Sequence, residues 1–164
     1  MVLFFMGKNE NLSDDFNYLT SASVGKIKPL SELDDEIYST MVLGNGYAVM
    51  TENGEIYSPV NGVVEKISNN NHSFNIHSDD GLDILVHIGK NSDCDDHLSI
   101  ATAAVEKSEV SQGSMLCKLE CEKFPDECDC IIEVVVSESD SLDVFEIITD
   151  NARSSKISVI KYKK

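Results

Sequence analysis

The length and charge of this chain narrow what it can be. Its 164 residues suffice for one domain with a sizeable core, and 41% apolar with 26% charged residues is ordinary globular composition. The charge balance is unusual, because 29 acids stand against 13 bases and give a formal net charge of −16. Such a chain repels phosphate backbones and anionic lipid, which argues against nucleic acid and favours a partner protein with a basic docking face.

The first 24 residues are predicted to form a leader. Its apolar start, MVLFFM, is too short to span a membrane and lacks the basic segment of a secretory signal. The polar stretch that follows has no sustained period, so we predict a loosely packed leader over 1–24, with at most a weak membrane contact at its apolar end. We therefore expect a cytoplasmic protein without a transmembrane segment, whose folded domain spans 25–164.

From Gly25 onward the sequence predicts short strands separated by turns. Turn dipeptides interrupt runs rich in valine, isoleucine and tyrosine at Asn45-Gly46, Asn53-Gly54, Ser58-Pro59 and Asn61-Gly62. Further strands are predicted at 82–88, 115–119, 131–136 and 157–162, and short helices at 98–107 and 142–148. Many short strands at this spacing predict an all-β fold, an antiparallel β-sandwich or barrel-like domain with one or two short helices.

The cysteines favour a reducing compartment. There are five: Cys94, Cys117, Cys121, Cys128 and Cys130. An odd number in a chain without an export signal predicts reduced thiols, and their spacing is not that of a zinc ribbon. We expect small buried side chains rather than a cysteine metal site, and no metal or cofactor.

The main functional signal is HSFNIHSDDGLDILVHIG, residues 72–89, which holds three of the four histidines. A hairpin with a two-residue loop at Asp79-Asp80, or a four-residue loop over 78–81, sets His72 opposite His87, with Cβ atoms about 4.5–5.5 Å apart. An odd-length loop would separate them. We therefore predict both imidazoles on one exposed face, with His77 projecting to the other as a structural residue. The alternative is that all are ordinary half-exposed polar residues, as we expect for His97.

Two imidazoles on one face suit chemistry on a phosphoryl group. A neutral imidazole nitrogen is a good nucleophile near pH 7, and the phosphoramidate that it forms readily passes the group onward. A second imidazole can donate a hydrogen bond to the phosphoryl oxygens and stabilise the transferring charge. Apolar neighbours help to exclude water, which would hydrolyse the intermediate.

Three segments carry a resemblance to a known family: KPLSELDDEIYSTMVLGNGYAVMTENGEIYSPVNGVVEKI, then NHSFNIHSDDGLDILVHIG, then VSQGSMLCKLE. In this order they resemble the glucose-type enzyme IIA domain of the bacterial phosphoenolpyruvate-dependent sugar phosphotransferase system, from about Gly25 to the C-terminus. The resemblance implies an antiparallel β-sandwich that accepts a phosphoryl group from the histidine phosphocarrier HPr. It further implies transfer of that group to a cysteine of a sugar-specific IIB domain.

The resemblance also implies roles for the two histidines. His87, in Val-His-Ile-Gly, matches the family's phosphorylated histidine, and His72, in Asn-His-Ser-Phe, matches its supporting histidine. Asp35 and Tyr38 fall where the family has an acid and an aromatic beside its docking face. We expect an exposed apolar patch around His87, ringed by acids, made of Tyr38, Phe74, Leu85 and Ile88.

Several departures alter the rim of this site. Asn70 stands where the family usually has a threonine two residues before the supporting histidine, and Asn91 replaces an aspartate. Asp93, Asp95 and Asp96 are close enough in sequence to compensate for that lost acid. The family's G-E-G-F motif is absent, and its T-P-V strand start is matched with Cys130-Ile131-Ile132. We count Asn70 among the partner-binding residues.

Two other functions remain open on the sequence. One is a regulatory protein-binding module with reduced or lost phosphotransfer, which the altered rim favours and the retained His72 and His87 oppose. The other is a zinc endopeptidase of similar β architecture. Such an enzyme needs an H-x-H pair and a separate H-x-x-x-D to hold zinc with an open position, and no H-x-H occurs here.

Overall fold

The computed structural model describes residues 16–89, 99–120 and 130–164. The described residues form fourteen strands, one short helix α1 (Glu36–Ser39), and single 3₁₀ turns at Leu30–Glu32 and Ser139–Ser141. The strands are β1 (Asn17–Thr20), β2 (Gly25–Pro29), β3 (Asn45–Thr51), β4 (Glu55–Tyr57), β5 (Gly62–Ile67), β6 (Ser73–Ser78), β7 (Asp83–Gly89), β8 (Ser99–Thr102), β9 (Glu109–Val110), β10 (Met115–Glu120), β11 (Ile131–Val136), β12 (Val144–Ile147), β13 (Asn151–Ala152) and β14 (Ser158–Lys163).

These strands build one large sheet and two small ones. The large sheet has the order β13-β2-β3-β11-β7-β6-β5-β9, and the small sheets have the orders β1-β14-β12 and β4-β10-β8. Every pairing among the described strands is antiparallel, and none closes a barrel. One apolar core takes side chains from all three sheets, including Leu19, Ile56 and Val86. The predicted all-β, antiparallel sandwich is confirmed.

Alternation along β6 and β7 decides which side chains reach the core. Phe74 and Ile76 on β6 are buried beside Ile84, Val86 and Ile88 on β7. The intervening residues of both strands lie on the outer face, because successive side chains of a strand point to opposite sides. His87 is one of these outer residues.

The loop between β6 and β7 corrects the predicted register. His77 pairs with Asp83 and Ser73 with His87, so His72 is not directly opposite His87. The backbone of Ser78 bonds that of Leu82 at 2.8 Å, which leaves the three residues 79–81 as the tip. Gly81 adopts φ +94°, a conformation that glycine takes at little cost and that allows this odd-length turn. The predicted even-length loop was therefore wrong by one residue.

Two further expectations about elements are wrong. The region predicted as a helix over 98–107 contains strand β8, and the one predicted over 142–148 contains β12. In both cases pairing with a neighbour, β10 or β14, decides the structure over local propensity. The strands predicted at 82–88, 115–119, 131–136 and 157–162 are confirmed as β7, β10, β11 and β14.

The leader predicted over 1–24 is shorter than expected. Strand β1 pairs with the C-terminal strand β14, and Leu19 within it is fully buried. Residues 17–24 therefore belong to the packed domain, because an apolar side chain on a paired strand gains more from the core than from solvent. The apolar start of the chain, with its expected weak membrane contact, lies outside the described residues.

Two cysteines can be placed. Cys117 and Cys130 are buried small side chains, as predicted. Burial raises the pKa of the Cys117 thiol to about 12, so this group stays protonated at neutral pH. Cys94, Cys121 and Cys128 lie outside the described residues.

A second, smaller cluster covers part of the outer face of the large sheet. It is formed by the buried side chains of Leu30, Tyr38, Ala48 and Val135. The methyl side chain of Ala48 on β3 leaves room for the ring of Tyr38 above the sheet. The segment that carries α1 thus lies over the outer face next to β7 and brings Tyr38 towards His87.

Candidate functional site

His87 lies on β7, with a neighbouring strand on each side. Ser73 of β6 is its partner on one side and Glu133 of β11 on the other. Directly opposed residues of antiparallel strands share a face, with Cβ atoms about 4.5–5.5 Å apart. The His87 side chain is 31% exposed, so it is held by the sheet and still open to a partner.

Glu133 holds one nitrogen of the His87 ring. Its Oε1 lies 2.8 Å from His87 Nδ1, and its side chain is only 5% exposed. An ionised carboxylate can only accept a hydrogen bond, so opposite an ionised Glu133 the proton of the neutral ring is on Nδ1, which donates. Nε2 then has the lone pair, and it is the ring nitrogen that can act as a nucleophile.

Gly89 makes space for the carboxylate of Glu133. A Cβ atom at position 89 would lie 2.8 Å from Oε2 and 2.9 Å from Oε1 of Glu133. Both distances are shorter than carbon and oxygen tolerate without bonding. The carboxylate therefore occupies the volume that any side chain at 89 would fill.

The ring of Tyr38 stacks on the face of the His87 ring. The ring centroids of Tyr38 and His87 are 5.2 Å apart and their planes differ by 25°. Asp35 begins α1 as its N-cap, and its Oδ1 accepts a hydrogen bond from the backbone of Ile37 at 2.9 Å. Burial raises the pKa of Tyr38 to about 12, with smaller contributions from the negative charges of Glu133 and Asp35. Tyr38 therefore stays neutral at physiological pH.

His72 is positioned by the tight turn between β5 and β6. Its backbone N–H lies 3.0 Å from Ser68 Oγ and 3.2 Å from Asn70 Oδ1, both of which accept from it. Asn71 adopts the left-handed φ of 62°, which asparagine tolerates better than most residues. The carbonyl of His72 accepts a hydrogen bond from Ile88 N at 2.7 Å. His72 and His87 thus lie at the same end of the hairpin, offset by one residue. The odd-length loop removes the register argument that predicted both imidazoles on one face.

The predicted docking patch needs correction. Phe74 and Ile88 are fully buried in the main core, because the odd-length loop places even-numbered residues of both strands inside. Leu85 is half-buried on the outer face and packs against the second cluster. Asn70 is exposed, but its side chain braces the turn at His72.

A different set of apolar side chains is exposed near Tyr38. We call it the 37–43 surface, and it consists of Ile37, Met41, Val42 and Leu43. Val42 is the most open of them, at 72%. Leu43 also lines an outer-face groove together with Leu85 and Val135, so this surface continues towards β7. Contiguous exposed apolar side chains of this kind mark interaction sites.

The remaining histidines differ from His87. His77 shares the outer face with His87 instead of projecting to the other one, since the register differs from the predicted one. It is exposed, and its Nδ1 lies 2.8 Å from Oδ1 of Asp83. That bond raises the pKa of His77. His97, Asn91 and the acids Asp93, Asp95 and Asp96 lie outside the described residues.

Among the residues that the structure describes, no group of three His, Cys, Asp or Glu side chains is arranged to hold a metal ion.

Two functional features of the structure were missed in the sequence analysis. Glu133 is a single acid in the apolar run IIEVVV, and a charge in a buried strand is a usable signal of special chemistry. Three of the four residues of the 37–43 surface come from the run MVL, which precedes Gly44 and the start of β3.

The chain matches known proteins by sequence and by structure. The family described as "phosphoenolpyruvate-dependent sugar phosphotransferase system, EIIA 1" matches residues 17–142. The fold is similar to glucose permease IIA from Mycoplasma capricolum, with a TM-score of 0.73 and 20% sequence identity, over 89% of this chain and 95% of that one. Within the described part of the chain, no helix is long and apolar enough to cross a membrane.

Proposed function

Since this chain belongs to the EIIA 1 family of the phosphoenolpyruvate-dependent sugar phosphotransferase system, we propose that it accepts a phosphoryl group from HPr on His87 and passes it to a cysteine of a sugar-specific IIB domain. One observation carries the assignment of His87. Its ring is fixed at Nδ1 by Glu133 and on its face by Tyr38, while the side chain stays 31% exposed. Such a ring offers Nε2 to an incoming phosphoryl group with little freedom left to lose.

The transfer balances without a cofactor. The lone pair of His87 Nε2 forms a new N–P bond as the N–P bond to the histidine of HPr breaks, and the departing imidazole keeps that electron pair. In the second step a cysteine thiolate of IIB forms an S–P bond, and the electron pair of the breaking N–P bond returns to Nε2. A phosphohistidine intermediate of this kind splits one transfer between proteins into two.

His72 is the supporting residue of this proposal. The turn over 68–71 and the backbone bond to Ile88 hold it at the same end of the hairpin as His87. An imidazole there can donate a hydrogen bond to phosphoryl oxygens as charge moves across them. The role rests on this placement and on the match of Asn71-His72-Ser73-Phe74 to the family motif.

The 37–43 surface is the proposed docking face for HPr and IIB. It replaces Phe74 and Ile88 as the apolar part of that face, next to the Tyr38–His87 stack. Four exposed acids precede or begin α1: Glu32, Asp34, Asp35 and Glu36. An apolar centre with an acidic rim suits a partner whose docking face is basic. A cytoplasmic carrier is part of the same proposal.

The experiment that tests the function is phosphorylation in a reconstituted system. The protein is incubated with enzyme I, HPr and labelled phosphoenolpyruvate, and acid-labile phosphate is mapped. We expect label on His87, none in His87→Gln, and normal labelling of the control His77→Gln. Labelled His87→Gln protein would contradict the assignment, and an unlabelled wild-type protein would favour the regulatory module.

A second variant separates the roles of the two histidines. His72→Gln keeps a hydrogen-bond donor, so we expect this variant to accept phosphate from HPr and to pass it to IIB more slowly. Complete loss of one well-aligned donor costs about 10²–10³-fold in rate, so the misplaced glutamine donor should slow this second transfer by no more than that. An unphosphorylated His72→Gln protein beside a phosphorylated His87→Gln protein would reverse the two roles.

A further inference from the structure

We propose that Glu133 is a positioning residue for His87, which fixes the reactive tautomer of the ring and stabilises the positive charge that the ring gains on phosphorylation. This inference deepens the proposed function and rests on it. It concerns a buried acid whose carboxylate forms a hydrogen bond and an ion pair with His87. The juxtaposition is a cross-strand pair, Glu133 on β11 opposite His87 on β7.

The burial of Glu133 is the first argument. Its side chain is 5% exposed in a strand whose other residues are isoleucine and valine. Burying a carboxylate costs several kcal/mol unless hydrogen bonds and opposite charge offset it. An apolar residue at 133 would continue the strand at no such cost. The cost is offset best when the ring at its side becomes positive.

Gly89 supplies the second argument. Both carboxylate oxygens occupy space that a Cβ atom at 89 would fill, at 2.8 and 2.9 Å. The carboxylate thus lies against the backbone of Gly89, two residues after His87 on β7, and is hydrogen-bonded to the His87 ring at 2.8 Å. Tyr38 stacks on the face of the same ring, so contacts in two directions fix its rotation.

The chemistry of the step gives the third argument. When Nε2 forms the N–P bond, the proton on Nδ1 stays in place and the ring becomes a phosphorylated imidazolium. A carboxylate 2.8 Å from Nδ1 lowers the energy of that cation, and its effect is larger in a partly buried site than in water. The same carboxylate holds the neutral ring in the Nδ1–H form, which leaves the lone pair on Nε2 before attack.

The chain contains a matched control for this pair. Asp83 Oδ1 lies 2.8 Å from His77 Nδ1, on the same hairpin and through the same ring nitrogen. That pair is exposed, with the two side chains at 50% and 58%. Asp83→Asn therefore removes a carboxylate that is bonded to His77 and leaves the Glu133–His87 pair in place.

The test uses the full-length protein with ¹⁵N-labelled histidine. Ring ¹⁵N shifts of the unphosphorylated protein report which nitrogen carries the proton, and a rapid-quench assay with phosphorylated HPr reports the transfer rate. We expect His87 as the Nδ1–H form in wild type and a weaker preference in Glu133→Gln, because the glutamine amide can either accept from Nδ1 or donate to it. We expect transfer to slow by about 10- to 100-fold, the range found when a carboxylate behind a metal-bound imidazole is removed. Asp83→Asn should leave both readouts of His87 unchanged.

Two results would overturn the proposal. An Nε2–H ring for His87 in wild-type protein does so without any variant, which covers the case of a Glu133→Gln protein that fails to fold. An unchanged rate and ring spectrum in folded Glu133→Gln does so as well. A wild-type protein that never accepts phosphate defeats the proposed function instead, and its ring spectrum still decides whether Glu133 holds His87.

Discussion

Tyr38 contributes to the site through the face of its ring. The ring stacks on His87 and closes the second apolar cluster, while the hydroxyl stays protonated at physiological pH. An aromatic contact of this kind depends on the ring and not on the hydroxyl. The choice between tyrosine and phenylalanine at 38 should therefore matter little, whereas loss of the ring should matter to both stability and transfer.

Two substitutions at Tyr38 test whether its ring or its hydroxyl contributes to stability and transfer. Tyr38→Ala removes a buried ring, so we expect the free energy of unfolding to fall by about 3 kcal/mol, the lower end of the range for buried aromatics. Transfer from HPr should slow at the same time, because His87 loses the surface on which its ring rests. Tyr38→Phe is the control and should keep both values, measured by urea unfolding and by phosphorylation rate. An equally large effect in Tyr38→Phe would assign the contribution to the hydroxyl.

At the scale of elements, the β6–β7 hairpin shows how a loop of three residues decides the site. Its odd length places Phe74 and Ile88 inside and His87 outside. Gly81 makes that length possible through φ +94°. A Cβ at 81 would meet only the flexible end of Lys164, at 3.3 Å. The cost of a side chain there is therefore one of backbone conformation.

Gly81→Ala tests the conformational demand of this turn. An L-residue held at positive φ costs about 1–2 kcal/mol, and we expect urea unfolding to show a loss of that size. The phosphorylation rate of the folded protein should hardly change, because the tip is at the far end of the hairpin from His87. Asp79→Ala, an exposed neighbour in the same loop, is the control and should stay within about 0.5 kcal/mol. A stable Gly81→Ala protein would show that the loop can adopt another turn.

Strands with strong alternation could be predicted from the sequence, and the connections between them could not. The runs around β7, β10, β11 and β14 allow one structure only. The segment LDVFEII fits either a helix or a strand, and pairing with β14 decides it. Asp-Asp-Gly permits both a two- and a three-residue turn, and that one residue changes which side chains share a face with His87. Tyr38 meets His87 across 49 positions, a contact that no local pattern encodes.

The charge of the whole molecule bears on how fast partners meet. The formal net charge is −16, and exposed acids lie beside the 37–43 surface. Oppositely charged docking faces attract one another over about a Debye length, roughly 10 Å at 0.1 M salt and 3 Å at 1 M. Attraction of this kind raises the association rate more than it stabilises the complex.

Transfer from HPr should therefore depend on salt. At limiting concentrations we expect the rate to fall by about tenfold between low and high ionic strength, and to change little when the proteins are saturating. The variant Asp34→Asn/Glu36→Gln should react more slowly at low salt and depend less on salt, without touching the cap at Asp35. The single-site control Glu146→Gln, on β12 of a small sheet, should behave as wild type. A transfer rate that does not depend on salt would show that the acidic rim is not part of the docking face.

The contact between Gly89 and Glu133 makes two distant positions depend on one another. Glu133 can reach His87 in this geometry only in a chain that has glycine at 89, so an acid at 133 gains this contact only once that glycine is present. A substitution of Gly89 in the chain that already has Glu133 has a different consequence. The atoms nearest to a Cβ gained at 89 belong to the carboxylate of Glu133, which can rotate, so we expect the sandwich to persist while the carboxylate moves away from His87. We therefore expect such a change to leave a folded protein that keeps the proposed docking surface but in which Glu133 no longer holds the ring of His87.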